Sequence, residues 1–192
     1  MSYDIYLFKP DDGESVEDAF ERLFSEDEDG DESEPSAERE VLKARLADAL
    51  IAANPLLESF QFDYAAVAKS LKTTEEEARR QWRHIELNGP EDGNGIQITI
   101  EDGKATVTVP YWHEGDDAKR VFEEIWKYLK VFQTEAGYLA FDPQLECPLD
   151  LSKDPDEMIQ TYTGFVGTMN TKFVASNESS VSDKPQPWWK FW

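Results

Sequence analysis

Carboxylates are the most crowded chemistry-bearing residues in this chain. Between Ser25 and Glu34, seven of ten residues are acidic and none is apolar. Asp27, Asp29, Asp31, Ser33 and Glu38 fall at positions 1, 3, 5, 7 and 12 of a calcium-loop frame, a spacing that could aim oxygens at one cation. The sixth position of that frame needs glycine for its sharp turn and holds Glu32, and Pro35 stands at the ninth. No metal is therefore expected. With nothing to bury, the stretch at 25–36 reads as a solvated loop. Its Glu26, Asp27, Glu28, Asp29, Asp31 and Glu32 are the candidate contacts for a basic protein partner, whose approach such a field would steer.

Three other groupings invite a functional reading. Pro110-Tyr111-Trp112-His113-Glu114 leaves a strand and enters a helix, so Tyr111, Trp112 and His113 could line a small-molecule or enzymatic pocket. Asp116 and Asp117 already occupy the positive end of that helix dipole and would repel an anion. At 62–84, two short helical signals resemble a helix-turn-helix, the second bearing Arg79, Arg80, Trp82 and Arg83 as the chain's one evident basic cluster. Reading DNA with them would mean overcoming the repulsion of a strongly acidic protein. Pairing of Arg79 and Arg83 with nearby glutamates, and Trp82 turned inward, is the plainer expectation. Last, Trp188, Trp189, Phe191 and Trp192 crowd one short stretch and must bury a large area wherever they dock. That groove could belong to the same domain, to a partner, or to a second copy that exchanges tails in a homodimer.

Enzyme signatures are sparse. The histidines are His84 and His113 and the lone cysteine is Cys147, too few for a His/Cys zinc site or an internal disulfide. No serine elbow, phosphate loop or dinucleotide fingerprint appears. A non-enzymatic protein without a cofactor is expected. The opening residues lack a basic leader and no run is long enough to span a bilayer, so a cytoplasmic location away from membranes is expected.

These residues need elements to hold them. Tyr3–Phe8 reads as a strand, and Val16, Ala19, Phe20, Leu23 and Phe24 as a helix capped by Ser15. Val41, Leu42, Leu46, Ala49 and Leu50 predict one helix face that ends at Asn54-Pro55. In the paired helices of 62–84, Asp63 and Thr74 are the caps, and the second stripe runs through Ala78, Gln81, Trp82 and Ile85. Ile96, Ile98 and Ile100 alternate with Gln97 and Thr99, and Ala105, Val107 and Val109 with Thr106 and Thr108. Asp102-Gly103 between them predicts a type I′ hairpin with one aliphatic face and one polar face open to something polar. A long helix from Asp116 carries Ala118, Val121, Phe122, Ile125, Trp126, Leu129 and Phe132 to Gly137. Tyr138–Phe141 predicts a strand, Asp142-Pro143 a turn, Leu149–Leu151 a return strand and Asp154–Tyr162 a last helix. The pattern predicts an α+β fold, a small antiparallel sheet with helices mainly on one face. The domain is expected at 1–167, with a linker and aromatic tail at 168–192.

Length and charge fit that picture. The chain of 192 residues suits one domain plus a tail, and 40% apolar residues support a core. The formal net charge is −22, of which −13 falls in residues 1–40. This disfavours nucleic acid and anionic membranes as partners. The opening Met1-Ser2-Tyr3-Asp4-Ile5-Tyr6, the strand exit Val109-Pro110-Tyr111-Trp112, the run Asp142-Pro143-Gln144 with Leu149-Asp150-Leu151, and the Trp-rich ending resemble a loose set of uncharacterised small acidic bacterial proteins. Some similar α+β proteins are immunity proteins of polymorphic toxin systems. That resemblance implies a bacterial cytosolic protein that binds another protein, and it brings no catalytic residues.

Overall fold

The computed structural model describes residues 2–24, 36–90 and 93–176, with side chains up to Gly167. The first strand, β1, is Ser2–Phe8 and buries alternate residues Tyr3, Ile5 and Leu7. Helix α1 spans Val16–Phe24, with the Ser15 hydroxyl accepting the Asp18 N–H at 3.1 Å. Helix α2 spans Ala37–Ala53, and Asn54 closes it through its N–H to Leu50 O. Strand β2 is the short Glu58–Ser59. Helices α3 (Tyr64–Leu71) and α4 (Glu75–Gln81) follow, their first N–H groups capped by Asp63 and Thr74 as expected.

Strand β3 (Ile85–Asn88) was not expected. Ile85 belongs to it rather than to the α4 stripe, because α4 stops at Gln81 and Trp82 caps it. Strands β4 (Gln97–Ile100) and β5 (Lys104–Pro110) form the expected hairpin. Its turn is not type I′. Gly103 has φ +81°, but Asp102 is not among the positive-φ residues, and a type I′ turn needs both. The long helix α5 is Gly115–Ala136, ended by Gly137 at φ +67°, and its whole predicted stripe is buried. Strand β6 is Leu139–Asp142. Strand β7 is Cys147–Pro148, earlier than the expected return strand, with the Leu149 N–H extending the ladder to Ala140 O. Helix α6 spans Asp156–Ser176 and so runs past Gly167 into the expected linker.

All pairings in the sheet are antiparallel, in the order β2-β3-β4-β5-β1-β6-β7. One face packs Ile5, Leu7, Ile98, Ile100, Val107 and Val109 against α2, α5 and α6, which makes the fold α+β with a main helical layer. A smaller cluster of Phe8, Ala19 and Phe141 seats α1 on the opposite face, with Tyr6, Phe20 and Phe24 against it. Along the rest of that second face the register builds two cross-strand rows. Asp4, Thr108, Gln97, Asn88 and Glu58 form one, and Tyr6, Thr106, Thr99 and Glu86 the other. None of these side chains is buried.

Helix α2 departs from its predicted face. Val41 is 68% exposed, and Lys43 is buried among Leu46, Ala47 and Leu50. Its ammonium lies 2.8 Å from Asp102 and 2.9 Å from Glu40 and donates to Arg83 O at 3.0 Å. The aliphatic stem packs inward while the charged end finds acceptors. Arg83 reaches the other Asp102 oxygen at 3.0 Å, so the hairpin turn, α2 and the chain leaving α4 are tied by one buried ion cluster.

Candidate functional site

The opening strand, the Val109–Trp112 strand exit and the Asp142-Pro143-Gln144 run converge at one end of the sheet. Tyr3 of β1 meets Tyr111, Phe122 of α5 and Tyr162 of α6 edge-on, with ring centroids at 6.1, 5.6 and 5.7 Å, and Tyr111 stacks on Tyr162 at 5.3 Å. The Tyr3 hydroxyl donates to Asp142 Oδ2. Asp142 is fully buried, and its Oδ1 accepts the N–H groups of Gln144 at 2.8 Å and Leu145 at 3.3 Å. Burial raises the Asp142 carboxyl above its ordinary range against the pull of the Tyr3 hydroxyl. Burial also raises the Tyr3 phenol, helped by the adjacent Asp142. The cluster is a lock between β1, the β6 end and α6. Its sequence signal, Asp142-Pro143, indicated only a turn. Cys147, opposite Asp142 in the ladder, has its thiol pushed up chiefly by burial, which disfavours the reactive thiolate.

His113 sits just beyond that lock and is 3% exposed. Its Nδ1 lies 2.7 Å from Asp117 Oδ2, and its Nε2 lies 2.7 Å from Asn94 O. Both partners are acceptors, and each ring nitrogen is engaged by one of them. The hydrogen bond to His113 holds the Asp117 carboxyl below the usual carboxylate range. The His113 N–H donates to the Tyr162 hydroxyl at 3.1 Å, and that phenol, pushed up to about 12 mainly by burial, donates to Pro110 O. The imidazole therefore clasps the β3–β4 loop to the start of α5. Trp112 lies 43% exposed over Gly95, where a Cβ would come within 2.5 Å of its ring. A cavity of about 260 Å³ is lined by His113, Glu114, Gly115, Thr163, Val166 and Gly167. Of the trio expected to form a pocket, only His113 lines it. Tyr111 turns into the aromatic stack and Trp112 covers the loop.

The arginines of the helix pair are all committed. Arg79 is 3.3 Å from Glu75 and its guanidinium sits 4.2 Å from the centre of the Tyr64 ring. Arg80 pairs with Glu77 at 2.9 Å, and Arg83 lies beyond the helix in the ion cluster of Lys43 and Asp102. Trp82 packs against Phe62 and His84, at 5.5 and 5.9 Å. Burial holds the His84 imidazole below its ordinary value, against the opposing pull of Glu101 and Glu86. These arginines are not the chain's only basic grouping. Lys119, Lys127 and Lys130 of α5 line a groove of about 550 Å³ with Trp126 and the carboxylates Glu123, Asp154 and Asp156. Helical spacing placed the three lysines on one side of α5, but only the position of α6 makes the groove.

The acidic candidates Glu26, Asp27, Glu28, Asp29, Asp31 and Glu32 lie outside the described residues, as do Trp188, Trp189, Phe191 and Trp192. Among the described residues no group of His, Cys, Asp and Glu is placed to hold a metal, and no helix is long and apolar enough to cross a membrane. Comparison with known protein families, with curated proteins and with solved structures finds no match.

Proposed function

We propose that this protein is a non-enzymatic binding module that captures a basic protein partner through its acidic surface, the role an immunity protein plays toward a toxin. The observation that carries the reading is the charge balance: 41 acidic against 19 basic residues, −13 of the net −22 within residues 1–40. An excess of this size raises the encounter rate with a cation-rich surface and sets a like-charge barrier against nucleic acid. The geometry of His113 supports the same side, since both ring nitrogens are already hydrogen-bonded and neither is free to take a substrate proton. Affinity capture from the source cell with the full chain as bait tests the reading. A basic protein retained in low salt and released as ionic strength rises is expected, because screening shortens the reach of surface charge. Recovery of an acidic partner, or retention indifferent to salt, would overturn it.

A further inference from the structure

Resting on that reading, we infer that the open face of the sheet is the seat for the basic partner. Where helices cover the opposite face, this one presents the two rows that begin at Asp4 and Tyr6. The carboxylates Asp4, Glu58 and Glu86 punctuate hydroxyl and amide side chains, and no cation stands in either row. The nearest cation along β5, Lys104, is occupied: its ammonium donates to Leu23 O and lies 3.8 Å from Glu101. Helix α1 borders the rows, packed on Tyr6 through Phe20 and Phe24 at 5.2 and 4.6 Å, and exposes Glu17, Asp18 and Glu21 to solvent. Its one base, Arg22, is held by Glu14 at 2.7 Å and Asp11 at 3.3 Å. The two rows are therefore rich in acceptors, with the exposed Phe60 opposite Glu86 at one end, and hold no available cation among their described residues.

The carboxylates retain acceptor capacity. Asp4 takes one hydrogen bond at each oxygen, from Thr108 Oγ1 at 2.7 Å and Ser2 Oγ at 3.2 Å, and Glu86 accepts from Asn88 at 2.8 Å. A carboxylate offers about four lone-pair sites, enough to add an arginine fork to these bonds. A second copy of the chain is disfavoured as occupant, because a two-fold contact would set these carboxylates against their own images. A small ligand is disfavoured because neither cavity described above, on α5 and beside His113, is lined by these rows. A surface bearing arginines at strand-like spacing fits both the shape and the charge.

The test uses the full chain and a ten-residue arginine peptide as probe, with affinity read by calorimetry at fixed ionic strength. The double variant Glu58→Lys/Glu86→Lys is compared with Asp48→Lys/Glu123→Lys, which changes net charge equally on α2 and α5. The first pair should weaken binding about tenfold and the second less than about twofold, as expected when local complementarity outweighs total charge. Thr99→Lys, which adds a cation mid-face and removes no carboxylate, should also weaken it. Equal losses in the two pairs would overturn the seat while leaving capture by net charge intact. No binding of the peptide to the unaltered chain would overturn both.

Discussion

On one side of the sheet, Ile98, Ile100, Val107 and Val109 disappear beneath α2, α5 and α6; on the other, their chain neighbours Gln97, Thr99, Thr106 and Thr108 stay partly exposed beside an acidic helix. The same strands thus supply a dry face that builds the core and a wet face that takes no part in it. Period-two alternation enforces the division, since a slip of one residue would exchange the two sets. Charge is divided as well. The helical layer carries Lys119, Lys127 and Lys130 at one groove, while the rows of the open face hold carboxylates only.

Substitutions that fall on one side or the other should behave accordingly. Phe122→Ala, at the centre of the covered face, removes a fully buried ring and should cost about 4 kcal/mol in denaturant unfolding. Asp102→Ala should cost about 3 kcal/mol, because it removes the buried carboxylate that Lys43 and Arg83 share and leaves them the half-exposed Glu40. A loss within the noise of the measurement would show that water reaches this cluster. His113→Ala removes both ring hydrogen bonds and should cost about 2 kcal/mol while speeding amide exchange around Asn94.

Asp142 gives a prediction in pH. Its folded-state value is raised, so its contribution to stability is complete below the ordinary carboxylate range and is lost as pH rises through the folded value. Asp142→Asn keeps a partner for the Tyr3 hydroxyl and cannot ionise. The melting-temperature difference, variant minus wild type, should therefore grow more positive from acid to neutral pH; a flat difference would contradict the burial argument. The smallest effect belongs to the open face. Thr106→Val should change stability by less than about 0.5 kcal/mol, as expected for a nearly isosteric change at a partly exposed position outside the core.

Much of the covered face was legible from spacing alone. The α5 stripe from Ala118 to Phe132 and the alternation of β4 and β5 each carry a single period, and burial follows it. The predicted α2 stripe leaves out Lys43, because a lysine beside apolar residues signals solvent. Only the tertiary approach of Asp102 and Arg83 makes its burial tolerable. Strand β3 was hidden by its shortness and by Ile85 falling in helical phase with Ala78, Gln81 and Trp82. The Tyr3–Asp142 lock joins residues 139 positions apart, a pairing that no local pattern encodes. The polar face of the β4–β5 hairpin was foreseen, but its extension onto β1 and β3 needed the strand order.

The most direct measurement is amide chemical-shift mapping of the full chain titrated with the arginine peptide. The shifts should concentrate at Asp4, Glu86, Thr99, Thr106 and Thr108, fade as salt is added, and leave the buried faces of α2 and α5 unmoved. Shifts clustered instead on the α5–α6 groove, or spread evenly over the surface, would contradict the assignment of the open sheet face as the seat of a basic partner.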